Sequence, residues 1–183
     1  MQKLIKDILN FSKLSAETEP FIQTDLTQIA REAVEELSDT VQAKNAEIQI
    51  DHLPSLPVNP NMIRSLFFNL VGNALKYSKK NTSPLIKIYA EKQPGVSDGL
   101  IIPDEKKYYR IFIQDNGIGF NQQYAEQIFE MFKRLHSSTE YEGTGIGLAL
   151  CKQIMVKHNG FISALSKENE GAVFIVSLPM IVL

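Results

Sequence analysis

The sequence predicts an α/β fold of the α+β type, a two-layer sandwich with a mixed, mostly antiparallel sheet of about five strands and three helices on one face. Segments in which apolar residues alternate are interleaved with segments in which they recur at helical spacing, and no repeat or low-complexity tract interrupts this order. The 183 residues, 44% of them hydrophobic, also supply enough apolar surface for one core.

The N-terminal region is predicted to be an extension of the main domain. Residues 1–14 are expected to form an amphipathic helix, with apolar side chains at Leu4, Ile5, Ile8, Leu9 and Phe11. Residues 15–20 are polar and end in proline, so we interpret them as a linker or hinge. The domain itself then covers residues 21–183.

The elements of the domain follow in order. Asn59 and Pro60 are suited to be the N-cap and the first residue of a helix that ends near Tyr77, after three prolines have broken the chain. Residues 158–160, His-Asn-Gly, are expected to close the last helix, with a histidine favourable to the helix dipole. The other predicted elements are strand 21–26, helix 27–44, strand 48–52, strand 85–91, loop 93–104, strand 108–114, short helix 122–132, a polar loop, helix 146–157, and strands 161–166 and 172–178.

The charge balance and the single cysteine argue against several classes of protein. Lys and Arg number 19 against 21 Asp and Glu, so a net charge of -2 gives no support for nucleic-acid binding. Cys151 cannot form an intrachain disulfide and is interpreted as a buried residue in a reducing compartment. No apolar run approaches the roughly 20 residues that span a bilayer. We therefore expect a cytoplasmic protein without membrane contact, or the cytosolic portion of a membrane-anchored parent.

The helix that begins at Pro60 carries a polar face beside its apolar stripe. Asn69, Asn73, Lys76 and Tyr77 fall at positions i, i+4, i+7 and i+8 of that face. Amide oxygens suit a hard cation because they add no charge, and a lysine suits phosphate oxygens. For this helix taken alone, an ordinary solvated face is the preferred interpretation, and a metal and phosphate site is the alternative.

A carboxylate ends the strand predicted at 108–114. Asp115 continues the alternation of Ile111 and Ile113, which places it on the buried side, where a charge needs hydrogen-bond donors. Gly117 and Gly119 remove side chains from the following turn, so a flat ligand can approach the backbone. Asp115 is then able to accept a hydrogen bond from an exocyclic amine. The alternative is a simple hairpin turn.

A second glycine-rich cluster, Gly143–Leu148, directly precedes an apolar helix. Backbone amides at a glycine-rich helix start offer donors and a positive dipole end to phosphates. The cluster is not a Rossmann fingerprint, because a polar loop precedes it, and it is not a Walker motif, because no Gly-Lys-Ser/Thr follows.

These residues, in this order, resemble the ATP-binding module of sensor histidine kinases, in the GHKL superfamily that includes gyrase, the Hsp90 chaperones and the MutL repair proteins. The likeness extends from about Phe21 to Pro179 and implies the Bergerat fold. The matching segments are 69–77 for the N box, 115–120 for the first glycine box, 129–134 for the phenylalanine box and 143–148 for the second glycine box.

The resemblance implies a set of ligand-binding roles. It implies that Asn73 coordinates Mg²⁺ and that Asp115 binds the adenine amine of ATP. Lys133–Glu142 is implied to be a mobile lid over the nucleotide. The implied catalytic residues are Asn69, Lys76, Lys133 and Arg134. The implied cofactor-binding residues are Asn69, Asn73, Lys76, Tyr77, Asp115, Gly117, Ile118, Gly119, Phe129, Phe132, Gly143, Thr144, Gly145, Ile146, Gly147 and Leu148.

The chain also departs from the family pattern. Residues 1–14 are similar to the end of the second dimerisation helix, but the histidine motif of that region is absent, and none of His52, His136 and His158 has its context. The resemblance therefore implies that the phosphoacceptor histidine lies on a dimerisation helix outside this chain, that a response regulator receiver domain acts downstream, and that the parent is a homodimer. Ala172 replaces a common threonine, and the stretch 93–107 is long enough for an extra hairpin.

The residue one turn before Asn73 bears on the reaction. Relatives that hydrolyse ATP carry a glutamate there, whereas this chain has Asn69, an amide that cannot act as a general base. We therefore expect an ATP-dependent histidine phosphotransferase module. The alternatives are a hydrolysing GHKL ATPase of the chaperone or repair type, a degenerate nucleotide-binding docking domain, and a serine kinase of the anti-sigma type.

Overall fold

A computed structural model of the chain describes residues 20–94, 96–97, 100–101, 107–135 and 143–180. The predictions made for residues 1–14, for 15–19 of the linker, for His136 and for 136–142 of the lid lie outside these residues. None of the helices in the described ranges is long and apolar enough to cross a membrane.

Strands and helices alternate along the chain. The strands are β1 Ile22–Asp25, β2 Glu47–Ile50, β3 Ser55–Val58, β4 Leu85–Pro94, β5 Val96–Ser97, β6 Leu100–Ile101, β7 Lys107–Asp115, β8 Phe161–Lys167 and β9 Gly171–Pro179. The helices are α1 Leu26–Glu35, α2 Ser38–Ala43, α3 Pro60–Lys76 and α4 Gly147–Lys157, and two 3₁₀ turns lie at Gln122–Tyr124 and Gln127–Phe129.

The main sheet has five strands in the order β2-β4-β7-β9-β8. Strand β2 runs parallel to β4, with Ile48 opposite Ile86, and all the other neighbours are antiparallel. Two further pairs, β1-β3 and β5-β6, form small antiparallel sheets outside it. The predicted mixed, mostly antiparallel sheet is therefore confirmed, and the β5-β6 pair lies in the stretch where an extra hairpin was expected.

The core lies between the sheet and the helices. Across one row of the sheet, Ile88 faces Ile113, Ile113 faces Phe174, and all three side chains are buried. Helix α3 covers this row with its apolar stripe, in which Phe67 and Leu70 are at most 1% exposed. Each such side chain contributes about 1.5–3 kcal/mol through burial. The polar face of α3 is thereby turned away from the sheet.

The start of α3 confirms the predicted cap. The Asn59 side chain accepts a hydrogen bond from the Met62 backbone N–H at 3.0 Å, and Pro60 is the first helical residue. This arrangement satisfies one of the free donors at the helix start. The predicted end near Tyr77 is also confirmed, since α3 ends at Lys76 and Tyr77 is the C-cap.

Three predicted elements were wrong in detail. The helix expected at 27–44 is broken into α1 and α2, because the Leu37 N–H bonds to the Val34 carbonyl, as in a 3₁₀ turn, before the helix restarts. The helix expected at 122–132 is two 3₁₀ turns, and its last residue, Phe132, has a left-handed φ of 62° that an α-helix cannot contain. The stretch at 54–60, in which the prolines predicted a break in the chain, contains the strand β3.

Strand β3 accommodates proline because it belongs to a two-stranded sheet with one open edge on each strand. Pro57 lies opposite Gln23 of β1, while Leu56 and Val58 turn inward and are buried. Leu56 and Val58 alternate with Pro57 in the sequence as they would in a strand. The prolines before and after this segment nevertheless predicted a break in the chain.

The histidine at the end of α4 does not act as a helix-terminal charge, and that prediction was wrong. His158 is 1% exposed, its ring stacks on Phe21 at 4.6 Å, and its Nδ1–H donates to the Ile154 carbonyl at 2.7 Å. Its Nε2 accepts the Asn59 N–H at 3.1 Å, which requires a neutral ring. Burial accordingly lowers the pKa of His158.

Candidate functional site

Two adjoining clefts open between α3, the loop that follows β7 and the start of α4. The first, the Asp115 cleft, is lined by Asn73, Tyr77, Asp115, Gly119, Phe120, Ile128, Lys133, Arg134, Leu135, Leu148, Ala172 and Phe174. The second, the Asn69 cleft, is lined by Leu37, Thr40, Lys44, Phe68, Asn69, Gly72, Asn73, Leu75, Lys76, Tyr77, Ile128, Lys133, Arg134, Gly143, Thr144, Gly145, Gly147 and Leu148. Asn73 and Tyr77 line both, so the clefts form one continuous groove.

Asp115 lies at the end of β7, where backbone donors hold its carboxylate. Its Oδ1 accepts the N–H of Gly117 at 2.8 Å and the N–H of Ala172 at 3.3 Å. Burial raises the pKa of the Asp115 carboxyl, while these two donors and the charge on Lys79 act in the opposite direction. Both bonds go to Oδ1, so the carboxylate keeps acceptor capacity at Oδ2 for a ligand in the cleft.

The turn after Asp115 packs backbone against backbone. A Cβ on Gly117 would lie 2.6 Å from the Tyr77 carbonyl, and one on Gly119, whose φ is +60°, would collide with the Lys167 carbonyl. The Ile118 N–H donates to the same Tyr77 carbonyl at 2.9 Å. Only glycine fits at these two positions, and the turn is thereby fixed to the end of α3.

The polar face of α3 meets the second glycine cluster across the Asn69 cleft. Asn69 donates its Nδ2–H to the Ser65 carbonyl at 2.7 Å, which leaves Oδ1 facing Gly147, where a Cβ would lie 2.7 Å away. The Lys76 Nζ donates to the Tyr77 hydroxyl at 2.9 Å and faces Gly143, where a Cβ would lie 2.6 Å away. The sequence motifs therefore come together in space.

The start of α4 presents backbone donors to this cleft. Its N-cap, Ile146, makes no side-chain capping bond, and the glycines at 143, 145 and 147 line the cleft beside it. An uncapped helix N-terminus offers free N–H groups and a positive dipole end, which together favour an anion.

The phenylalanine-box residues are distributed between the core and the surface. Phe129 is 6% exposed and packs edge-on against Phe174, so it supports the Asp115 cleft from behind. Phe132 is 57% exposed and, with its positive φ, donates its N–H to the Gly145 carbonyl at 3.0 Å. Lys133 lines both clefts and lies 4.0 Å from Glu130, with both side chains exposed.

Most of the predicted ligand-binding residues line the groove. The exceptions are Gly117, Ile118, Phe129, Phe132 and Ile146, which lie behind or beside it. Sequence reasoning missed the apolar walls of the Asp115 cleft, formed by Phe120, Ile128, Leu135 and Phe174. It also missed Asn116, whose side chain accepts the Leu85 N–H at 2.9 Å and donates to the Ser83 carbonyl at 3.2 Å. Nothing in an apolar pattern separates a pocket wall from the core.

Curated relatives are similar to this chain over almost all of its length. It is 34% identical over 180 residues to the phytochrome-like protein Cph1 of Synechocystis sp., a match that covers 98% of this chain and 22% of that protein. It is 31% identical over 185 residues to the adaptive-response sensory kinase SasA of Synechococcus sp., covering 98% of this chain and 46% of that protein. The chain thus spans less than half of either relative.

Solved structures share the fold. Full-length ShkA in complex with AMPPNP matches with a TM-score of 0.73 at 23% identity, covering 98% of this chain and 36% of that one. Histidine kinase ThkA in complex with the response regulator protein TrrA matches with a TM-score of 0.70 at 22% identity, covering 98% of this chain and 47% of that one. The expected Bergerat fold is confirmed by this likeness.

A family model matches residues 58–181, more than half of the chain and all four motifs of the groove. Its description is "Histidine kinase-, DNA gyrase B-, and HSP90-like ATPase". Together with the fold and with the arrangement of the groove, this match leads to one conclusion. The chain belongs to the family of histidine kinase-, DNA gyrase B- and HSP90-like ATPases.

Proposed function

We propose that the chain is the ATP-binding catalytic module of a two-component sensor histidine kinase. In this proposal it transfers the γ-phosphate of ATP to a histidine on a dimerisation helix outside this chain. The observation that carries the proposal is the continuous groove, with a half-buried carboxylate in one cleft and an uncapped helix N-terminus in the other. The family match and the similarity to SasA, a sensory kinase, support it.

The Asp115 cleft fits an adenine ring. Phe120, Ile128 and Phe174 provide apolar walls for a flat base, and the Asp115 carboxylate is held so that it accepts a hydrogen bond from an amine. An adenine presents an exocyclic amine next to a ring nitrogen, whereas a guanine presents a carbonyl oxygen at that position. We therefore propose adenine as the base that the cleft selects.

The Asn69 cleft fits a triphosphate and a magnesium ion. The N–H groups at the start of α4 and the Lys76 ammonium are suited to phosphate oxygens. The described residues hold no group of three or more His, Cys, Asp or Glu side chains, so a cation here would take the Asn73 oxygen together with phosphate oxygens and water. Mg²⁺ bound in this way would neutralise phosphate charge during transfer.

The protein's own contribution to transfer is to position and screen the phosphates. Asn69, Lys76, Lys133 and Arg134 all line the Asn69 cleft, where the terminal phosphate would lie. The described histidines do not supply an acceptor in this groove, because His158 is buried with both ring nitrogens hydrogen-bonded and His52 lies in the segment after β2. Together with the missing sequence context of the family's phosphoacceptor at His136, this supports an acceptor that approaches from outside the chain.

The remaining parts of the proposal concern the parent protein. We propose that residues 1–14 are the end of a dimerisation helix and 15–20 a linker, that the parent is a homodimer, and that the module works in the cytoplasm. A response regulator receiver domain is the proposed downstream partner. ThkA, which shares the fold, was solved in complex with the response regulator protein TrrA.

The proposal is tested by phosphate transfer. The chain is incubated with Mg·ATP labelled at the γ-phosphate and a purified helical hairpin that carries a phosphoacceptor histidine. We expect label on the hairpin and none on a matched hairpin in which that histidine is alanine. We expect no label on the chain alone. Absence of calorimetric binding for ATP and ADP would contradict the proposal at its first step, and binding without transfer to any histidine hairpin would favour the degenerate docking domain.

The hydrolysing alternative is separated by a second readout. The Asn69 side chain donates its N–H to the Ser65 carbonyl and presents its amide oxygen to the cleft. Neither the nitrogen nor the oxygen of an amide can take a proton from water at neutral pH. We therefore expect bound ATP to persist, with slow phosphate release at most. Robust steady-state release of phosphate over many turnovers would favour a chaperone-type or repair-type ATPase.

A further inference from the structure

The turn that follows Asp115 is supported by the hairpin between β8 and β9. The Ile118 carbonyl accepts the Asn169 N–H at 2.7 Å, and Gly119 lies directly against the Lys167 backbone. The opposite side of the turn is fixed by the Tyr77 carbonyl, which accepts the Ile118 N–H. The floor of the Asp115 cleft is thus held between the end of α3 and a hairpin that contributes Ala172 and Phe174 to its lining.

One hydroxyl connects the two segments that flank the carboxylate. The Ser166 Oγ accepts the Phe120 N–H at 2.9 Å and donates to the Gly171 carbonyl at 2.8 Å. Phe120 leaves the turn that begins at Asp115, and Gly171 directly precedes Ala172, whose N–H bonds to Asp115. Loss of this hydroxyl would therefore remove the side-chain link between these two segments and leave only the bonds at Ile118 and Asp115.

A glutamine side chain fixes Ser166 in turn. Strand β8 is an edge strand, so its outward N–H and C=O groups have no neighbouring strand. The Gln122 side chain bonds to them as a strand would, accepting the Ser166 N–H at 2.7 Å and donating to the Ala164 carbonyl at 3.1 Å. Gln122 is only a few residues beyond the turn, and so it ties the chain after Phe120 to the same edge.

We propose that Ser166 and Gln122 are positioning residues for adenine recognition, which set the place of the Asp115 carboxylate and of the turn beneath the base. This inference rests on the proposed function. Neither side chain lines the groove, so both act through Phe120 and Gly171. Their effect belongs to the base end of the nucleotide and is independent of the phosphates and of the metal.

The test compares the binding of AMP, ADP and Mg·ATP by calorimetry. Ser166→Ala removes two neutral hydrogen bonds and is expected to weaken all three ligands by the same factor, about 3- to 30-fold. Ser166→Thr keeps the hydroxyl and is expected to restore binding. Ser163→Ala, on the opposite face of the same strand, is the matched control and leaves all three affinities unchanged. Gln122→Ala is expected to change binding in the same direction as Ser166→Ala.

The outcomes separate this inference from the function on which it depends. If the unaltered chain binds none of the three nucleotides, the proposed function fails. If it binds them and both Ser166→Ala and Gln122→Ala bind equally well, only the positioning role fails. A loss confined to Mg·ATP would also contradict it. Binding is measured at a temperature well below the thermal unfolding midpoint of each variant. If Ser166→Ala does not fold, Gln122→Ala tests the positioning role, because it keeps the Ser166 hydroxyl.

Discussion

Burial disfavours the charged form of the Asp115 carboxyl, and two backbone N–H donors favour it. The N–H groups of Gly117 and Ala172 both bond to Oδ1, and the position of the second donor does not depend on the side chain at 172. The resemblance to the family implied a threonine at position 172, and the alanine found there leaves this contact intact.

Substitution of this carboxylate should affect every adenine nucleotide equally. We expect Asp115→Asn to weaken ATP and ADP by the same factor, roughly ten- to a hundredfold, because a hydrogen bond to a charged group is replaced by an amide that also presents N–H. Calorimetry measures both affinities, and Asp39→Asn on the exposed helix α2 is the control. A loss for ATP alone would show that Asp115 acts on the phosphates instead.

Asn73 should act only through the metal. We expect Asn73→Ala to remove the magnesium-dependent part of ATP affinity, because its amide oxygen is the protein ligand proposed for the ion. With magnesium chelated, the variant and the unaltered chain should bind ATP equally, and circular dichroism should show an intact fold. Asn81→Ala, on an exposed loop, is the control. Unchanged magnesium dependence in Asn73→Ala would remove the metal assignment.

The buried His158 should make stability depend on pH. Its pKa is lowered in the folded state, by burial first and by Lys157 in part, so between the ordinary value and the folded value only the unfolded chain binds the proton. Stability is therefore full above about pH 6.5 and declines as the pH falls below it, by up to about 1.4 kcal/mol per pH unit. Urea unfolding at pH 7.5 and 5.5 should show this decline, a smaller one for His158→Gln, and an undiminished one for His52→Gln. Equal slopes for all three would exclude His158 as the cause.

Among the elements, the β8–β9 hairpin contains a glycine that no other residue can replace without strain, whereas α3 contains one that has room for a side chain. Gly171 has a φ of +106°, and a Cβ there would collide with the Asp115 carbonyl. Gly72 lies in the middle of α3 with nothing within 4 Å of a Cβ. Glycine is therefore required at the first position, whereas at the second it only lowers the helical propensity.

Alanine at these two positions should shift stability in opposite directions. We expect Gly171→Ala to destabilise the chain by more than about 1 kcal/mol through backbone strain and steric collision. Gly72→Ala should stabilise it by about 0.5–1 kcal/mol through reduced chain entropy and better helix propensity. Thermal unfolding followed by circular dichroism checks both values. A neutral Gly171→Ala would mean that the hairpin shifts without cost.

The elements differ in how well the sequence predicted them, and the reasons are physical. Helix α3 was predicted closely because its start is set by local chemistry, an asparagine cap followed by proline. The break between α1 and α2 was not, because Leu37 and Val41 continue the helical spacing across it and no glycine or proline marks its position. Strand β3 was missed because pairing with β1 outweighs the propensity of proline to interrupt a strand.

For the molecule as a whole, the polar residues of the groove were predictable and its walls were not. Asn69, Asn73 and Asp115 occur in compact motifs whose spacing carries the chemistry, and the fold brings them to one groove. Leu135 and Phe174 lie in different segments and become a wall only when the sheet and the phenylalanine-box region pack together. The supporting roles of Ser166 and Gln122 depend on β8 being an edge strand, which follows from strand order rather than from any local pattern.

The hydrogen bond between the Phe132 N–H and the Gly145 carbonyl closes the intervening segment at its base, with left-handed backbone on both sides of the join. This join fixes the distance between the two chain ends that meet there. It therefore sets how far apart Lys133 on one side and Thr144 on the other lie in the lining of the Asn69 cleft.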